Sequence, residues 1–535
     1  MRPAVERRGR IAAPGIAAGP VVRLDRPEAG ERKASGDPAL ERSDLEAAIA
    51  SAIEAIAALA AGLDGDAADI LDFQIAMLED DSLSSGAFTA IARGVDAATA
   101  WSEAIAVQIA DYEATEDEYF RARAADLADI RDRVLRALSS VTDDVTPPGA
   151  VLAGEDVTPS RFLSVDWATG GGLALFAGSP SSHVAMLARS RGVPMVVGIG
   201  PVELGNGDVA IVDGEAGRIV LNPGDAEWAA YDAARKEAGA RAEREGAVLR
   251  LPAVTRGGVP IRVMINVAEP EELDALDPAI CDGIGLVRTE FLFHRPGGLP
   301  DEETQYRAYS RIVEWAEGRP VVLRTLDAGG DKPVAGLTHD DESNPFLGTR
   351  GIRLSLVHPD VFMVQLRAMA RAAVLGDVKV MLPMVTVPAE VDAAATLLDR
   401  AVADLTSESV ACRRPALGIM VEVPAVAIEL ALYANADFFS IGSNDLTQYV
   451  TASARDIAAV SALNDAGNPA VVSLIRRVVE AGREIDREVS LCGDMGSDPT
   501  HIPALVAAGL RTLSVAPALV GRAKLAIAEA DAGSS

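Results

Sequence analysis

Six polar side chains stand at the ends of short apolar runs in the second half of this chain of 535 residues. Arg288 closes IGLVR, Arg324 closes VVLR and Glu422 closes LGIMVE; Asn444 and Asp445 follow FFSIGS, and Cys492 closes VSLC. Arg350 lies between the third and fourth such runs, in NPFLGTR. Guanidiniums are fixed cations that clamp carboxylate and phosphate bidentately, so this set suits a small, highly anionic substrate. Two carboxylates, Glu422 and Asp445, are enough for a Mg2+ ion that completes its octahedron with substrate and water. The Cys492 thiol could supply or take a proton. The plain alternative is that these arginines and acids pair with one another as structural salt bridges. That is an even alternative for any one residue, and a weak one for six gathered on one face.

A second site stands in SPSSHVAMLARSRGVPMVVG. Ser182 is a good N-cap for the amphipathic stretch VAMLARS, which puts His183 in the first helical turn. There the positive helix end favours an added anionic group, and imidazole is a competent nucleophile near neutral pH. A single loop histidine is more often a satisfied structural residue, and His294, His339, His358 and His501 are left on that reading. Neither a G-x-x-x-x-G-K-[ST] loop nor a G-x-G-x-x-G fingerprint occurs, so nothing supports nucleotide binding.

The elements that must position these groups are legible as texture. From about residue 252 onward, eight apolar runs (IRVMIN, IGLVRT, VVLRTLD, VKVMLPM, LGIMVEV, FFSIGSND, VSLCGD and TLSVAP) alternate with helical stretches. That is the signature of a (β/α)8 barrel over 251–535, whose strand C-termini form the active face. Residues 38–141 carry apolar residues at helical spacing and read as packed helices. Residues 1–37 and 142–224 are short strands punctuated by glycine and proline, a small α/β domain. Residues 225–250 are a charged, alanine-rich connector helix. The fold class is α/β, multidomain.

Lysine plus arginine number 49 against 79 aspartates plus glutamates, a formal charge of −30. So acidic a chain is a poor fit to nucleic acid or an anionic membrane, and suits a soluble protein or one that docks a basic partner. Nearly half of the residues are apolar, which excludes wholesale disorder. No run reaches the length of a membrane span, and the opening MRPAVERRGR leads into no signal core. Three cysteines (Cys281, Cys412, Cys492) are too few and too far apart for a disulfide framework or a zinc knuckle, which places the chain in a reducing cytoplasm.

Taken in order, AAPGIAAGP, DFQIAMLED, SPSSHVAMLARSRGVPMVVG, DGIGLVRTEFLF, RTLDAGGDK, NPFLGTRGIR, VEVPA, FFSIGSNDLTQY and LCGDMGSDP make the chain resemble Enzyme I of the bacterial phosphotransferase system, over nearly its full length. The resemblance implies that His183 is phosphorylated from phosphoenolpyruvate. It implies that Arg288, Arg324 and Arg455 bind phosphoenolpyruvate with Arg350 nearby, and that the backbone at Asn444 and Asp445 holds the phosphate. Glu422 and Asp445 would ligate Mg2+, and Cys492 would protonate the enolate of pyruvate. It further implies a swivelling phosphohistidine domain, a helical insert that docks the carrier HPr, and a homodimer formed through the barrel. The acids Glu79, Asp80 and Asp81 of that insert are candidates for meeting a basic carrier, or only a solvated helix end.

The chain departs from the family at several points. Ser181 replaces a usual threonine, and Ala454-Arg455-Asp456-Ile457 replaces a D-R-G-N-like segment. Asn464-Asp465-Ala466-Gly467-Asn468-Pro469 replaces a DPLHP-like one, and Asp494 stands for a usual glutamate. Sugar uptake is the favoured pathway. A nitrogen-type regulatory relay, an enzyme of the synthase or dikinase kind and a catalytically degenerate regulatory relay or interaction protein are the alternatives.

Overall fold

The computed structural model describes residues 3–24, 34–60, 66–113, 118–139, 146–180, 182–205, 207–293, 298–330, 332–338, 342–454, 457 and 460–531; for 66–70, 113, 118–125, 183 and 461 only the backbone is described. The chain divides into two compact units, Met1–Gly239 and Ala240–Ser535. The boundary falls inside one helix rather than at either end of it.

The first unit holds eight strands: β1 (Val5–Arg8), β2 (Arg10–Ala13), β3 (Ile16–Leu24), β4 (Val151–Gly154), β5 (Gly172–Leu175), β6 (Met195–Val197), β7 (Val209–Asp213) and β8 (Arg218–Leu221). They form one mixed sheet in the order β1-β8-β7-β3-β4-β5-β6-β2, in which β3 to β6 run parallel and the flanking pairs antiparallel. Between β3 and β4 the chain leaves the sheet as five helices, α1 (Pro38–Ala60), α2 (Asp66–Glu79), α3 (Asp81–Ile91), α4 (Ala97–Glu113) and α5 (Glu118–Ser139). Leu45, Ile56, Leu83, Trp101, Ile105, Leu127 and Ile130 fill their core, which continues onto one sheet face at Leu173, Met195 and Val197. Two short helices follow, α6 (Pro159–Leu163) and α7 (His183–Ser190). The wholly buried Asp129 of α5 ties together α2, α5 and α6: it accepts from the Ser160 hydroxyl at 2.7 Å, the Ser160 N–H at 3.1 Å and the Gln74 amide at 3.2 Å.

Helix α8 (Asp225–Val248) carries no buried residue, as its lack of an apolar face predicts. The second unit opens with a short strand, β9 (Ala253–Val254), paired to the start of β10 (Pro260–Val267). Then come β11 (Ile284–Val287), β12 (Val321–Arg324), β13 (Val378–Leu382), β14 (Ala416–Val421), β15 (Phe438–Ile441), β16 (Glu488–Leu491) and β17 (Thr512–Val515). From β10 to β17 each strand pairs parallel with the next, and β17 pairs back onto β10, closing an eight-stranded barrel. These are the eight apolar runs read from the sequence. The helices are α9 (Glu302–Trp315), α10 (Ile352–Val357), α11 (Pro359–Ala372), α12 (Pro388–Ser407), α13 (Pro424–Ile428), α14 (Ser443–Thr451), α15 (Pro469–Glu484), α16 (Ile502–Ala507) and α17 (Val520–Glu529).

The period of two along each strand sorts the side chains. Val263, Ile265 and Val267 of β10 point outward into the core shared with the helices, whereas Leu286, Val322, Met381, Met420, Phe438 and Cys492 form an apolar layer inside the barrel. At the strand starts, Arg262 and Lys379 pair with Glu488 and make a polar floor. Among the described residues no helix is long and apolar enough to cross a membrane.

Asp129→Ala leaves the Ser160 N–H and the Gln74 amide buried without their acceptor, and is expected to destabilise the first unit by about 2–4 kcal/mol. Denaturant unfolding followed by tryptophan fluorescence measures it.

Candidate active site

At the C-terminal ends of the barrel strands lies a cleft of about 490 Å³, lined by Leu286, Arg288, Arg324, Lys332, Met420, Glu422, Gly442, Asn444, Asp445, Cys492 and Gly493. Six of the residues singled out from the sequence therefore line one cleft, each at or just beyond a strand end. Arg288 follows β11, Arg324 ends β12, Glu422 follows β14, Cys492 follows β16, and Asn444 and Asp445 stand in the first turn of α14. Gly493 is required by close approach, since a Cβ there would come within 2.6 Å of the Ser443 amide nitrogen.

Beneath the cleft runs a chain of alternating charges. Arg324 donates to Glu290 at 2.8 Å and pairs with Asp327 at 3.1 Å, and all three are buried. Glu290 also accepts the Asp327 N–H at 3.0 Å. Arg350, expected beside the substrate, is wholly buried and spans two carboxylates. It donates to Asp327 at 3.0 and 3.1 Å and to Asp445 at 3.1 Å through each of two nitrogens. The pairing that would make such arginines merely structural thus holds for Arg350. It holds only partly for Arg324, whose buried Nε has no partner among the described residues and which lines the cleft. An anionic oxygen would satisfy that donor.

Burial alone would push the Asp327 carboxyl up, but Arg324, Lys332 and Arg350 hold it far below the usual carboxylate range. Glu422 goes the other way. Burial, then the neighbouring charges of Asp445 and Asp327, push it up to about 8. One of its oxygens accepts the N–H of Met384 at 2.6 Å, a residue held in the left-handed region at φ +58°. Burial raises the Cys492 thiol to about 11, so it carries its proton at neutral pH.

Two close carboxylates that cannot both ionise comfortably are what a hard divalent cation relieves, and oxygen donors suit Mg2+. Glu422 and Asp445 fit that role as a pair whose remaining ligands come from substrate and water. Among the described residues, no three histidine, cysteine, aspartate or glutamate side chains form a self-contained metal cage.

Asn444 turns its side chain to Asp494: its amide donates to the carboxylate at 2.9 Å and its oxygen accepts the Asp494 N–H at 2.9 Å. The aspartate at 494 is therefore long enough to brace Asn444. Gly442 caps α14 without a side chain, which leaves the first-turn N–H groups of the helix free of a capping acceptor. Arg455 lies outside the described residues, and of His183 only the backbone is described. That backbone opens α7, whose N-cap Ser182 accepts the Ala185 N–H at 3.2 Å. Asp80 proves to be the N-cap of α3, accepting the Ser82 N–H at 2.8 Å. Lys332, Asp327 and Glu290 join the site without standing at a strand end; in the sequence they are carried by RTLDAGGDK and by TEF directly after Arg288.

Three families described as parts of phosphoenolpyruvate-utilising enzymes match in order: the N-terminal part over residues 8–123, the mobile domain over 146–217 and the phosphoenolpyruvate-binding domain over 242–532. A phosphoenolpyruvate-protein phosphotransferase of Geobacillus stearothermophilus is 37% identical over 98% of this chain and 93% of its own length. One of Bacillus sp. (strain S) is 37% identical over 97% and 92%, and one of Haloferax volcanii is 40% identical over 87% and 82%.

The raised Glu422 has a sign that can be measured. Between its ordinary 4.5 and about 8 the folded chain keeps a proton that the unfolded chain has lost, so stability falls as pH rises through that window. The melting temperature of the metal-free protein should decline between about pH 5 and pH 8, and Glu422→Gln should flatten the decline. Equal slopes would mean that Glu422 is already ionised in the fold.

Proposed function

The chain belongs to the phosphoenolpyruvate-protein phosphotransferase family and is a phosphoenolpyruvate-dependent transferase, and from that membership we propose that it carries the phosphoryl group to its own His183 and then to a histidine of an HPr-type carrier, releasing pyruvate. The observation that carries the reading is the cleft at the barrel mouth, where Arg288, Arg324 and Lys332 face Glu422, Asp445 and a protonated Cys492.

Arg288 and Arg324 bind the substrate anion, the free Nε of Arg324 taking one oxygen, and Arg455 joins them on the strength of the family resemblance. The first-turn amides at Asn444 and Asp445 meet the phosphate. Arg350 holds Asp445, and through it the acidic pair, in place. Glu422 and Asp445 would hold the Mg2+ that the family resemblance implies, and the ion would neutralise the substrate's carboxylate and phosphate charge. In the transfer the bond from phosphorus to the enol oxygen breaks and a bond from phosphorus to His183 Nε2 forms, the stabilisation coming from positioning and charge. The Cys492 thiol gives its proton to the enolate carbon and recovers one from solvent. A group that must be an acid at neutral pH is suited by burial that keeps the thiol protonated.

His183 opens α7, where the helix dipole favours the added negative charge. Residues 1–37 with 142–224 form the swivelling phosphohistidine domain, the helices of 38–141 dock the carrier, 225–250 is the connector and 251–535 is the substrate-binding and dimer-forming barrel. The net charge of −30 favours encounter with a basic carrier. Glu79 and Asp81 remain candidates for that surface, while Asp80 already serves as a cap. The protein works in the cytoplasm as a homodimer at the head of sugar uptake.

Incubation with phosphoenolpyruvate and Mg2+ should add one acid-labile phosphoryl group to the intact mass. His183→Ala should abolish that gain, and a variant that still gained it would place the acceptor elsewhere. Cys492→Ser should slow pyruvate formation about 100-fold or more while leaving the KM for phosphoenolpyruvate within about threefold, because it removes a proton donor and no charge.

A further inference from the structure

Beyond the cleft, a second set of polar groups lies hidden between the barrel and its outer helices. Strand β12 makes its last ladder bond at Thr325, whose N–H donates to the Met381 carbonyl at 2.9 Å. The segment that follows carries Asp327 away from the sheet, and its peptide groups must find other acceptors. The Asp327 N–H finds Glu290, and the Leu326 N–H finds Oε1 of Gln365 on α11 at 2.9 Å.

Gln365 is 1% exposed, on a helix face otherwise made of Phe362, Leu366, Met369 and Ala372. Its Nε2 donates to the Thr289 hydroxyl and to the Tyr309 phenol oxygen, both at 3.2 Å. Each of those hydroxyls has already committed its own proton. Thr289 donates to the carbonyl of Arg324 at 2.9 Å and Tyr309 to Gln305 at 3.0 Å. What remains at this point in the core is one donor seeking an acceptor and two oxygens seeking donors. A primary amide supplies that combination at one position; a carboxylate or an apolar side chain does not.

We propose that Gln365 is a positioning residue for phosphoryl transfer. Though remote from the cleft, it fixes the backbone immediately after Arg324, at the Leu326 N–H directly and at the Arg324 carbonyl through Thr289, and so aims the guanidinium at the substrate. The inference rests on the role given above to Arg324. The energetic sense is that of any buried, fully paired network. The amide is costly to bury unpaired, so its bonds hold the β12 exit in one arrangement.

The test is a double-mutant cycle on intact protein, reading kcat/KM for phosphoenolpyruvate-dependent labelling. Gln365→Met keeps the side chain's length and approximate volume while removing both of its polar atoms, so it can occupy the same place among Phe293, Leu326, Leu354 and Phe362. That variant should lose about 10- to 100-fold, the usual range for groups that orient a working side chain. Arg324→Lys should be impaired as well, and the double variant should be little worse than Arg324→Lys alone, because an aiming residue has nothing left to aim. Multiplicative losses in the cycle would make Gln365 structural only, and a near-normal rate in Gln365→Met would refute the proposal outright. Should Gln365→Met fail to fold, Thr289→Val breaks the same connection at the Arg324 carbonyl and enters the same cycle with the same criteria. If Arg324→Lys itself kept the normal rate, the role of Arg324 would fall. If Arg324→Lys is crippled and Gln365→Met is not, only the positioning role falls.

Discussion

Everything at the barrel mouth depends on the alternation of carboxylates and cations from Glu290 through Arg324, Asp327 and Arg350 to Asp445. Three cations of that layer, Arg324, Lys332 and Arg350, stand among four acids, Glu290, Asp327, Glu422 and Asp445. With Glu422 protonated the two sides balance. Buried ions of this kind stabilise only when every partner is present, and removing one typically costs about 3–5 kcal/mol because the other charge is stranded. The network is therefore a weak source of stability and a strong source of geometry.

The barrel supplies the rigidity such a network needs. Parallel strands end on one face, so residues far apart in sequence reach one cleft. The apolar layer of Leu286, Val322, Met381, Met420 and Phe438 lies under that face and includes Cys492. Because the thiol belongs to this layer rather than to the charged one, it is desolvated and keeps its proton. One face of the barrel thus holds strongly ionised groups, Asp327 and Arg350, beside two that burial keeps protonated, Glu422 and Cys492; all four are buried, and the first two differ in the ion pair they make with each other.

Other polar pairs fix local arrangement in the same way. Asp494, shorter than the usual glutamate, still closes a two-bond pair with Asn444 because the helix start and the β16 exit are pressed together at Gly493. In the first unit, Asp129 does by hydrogen bonding what no apolar surface can do alone: it fixes α2 and α6 against α5 at one point. Buried polar groups in both units specify arrangement, while the large cores around them provide the bulk of the stability.

The sequence by itself determined the eight strands, the helical insertion and which residues stop at strand ends, because period-two and period-3.6 patterns are local properties of the chain. Position at a strand end was enough to gather Arg288, Arg324, Glu422, Asn444, Asp445 and Cys492, since a closed barrel sends all its strand ends to one rim. Direction was not legible. Whether Arg350 faces ligand or acid, whether Asn444 offers its side chain or only its backbone, and whether Asp80 meets solvent or a helix N–H all depend on partners tens of residues away. The same holds for Asp327, Lys332, Glu290 and Gln365, whose importance comes from what they touch. Only the tertiary structure decided those matters, because charge and hydrogen-bond energies depend on distance and burial, and neither is fixed until the chain has closed upon itself.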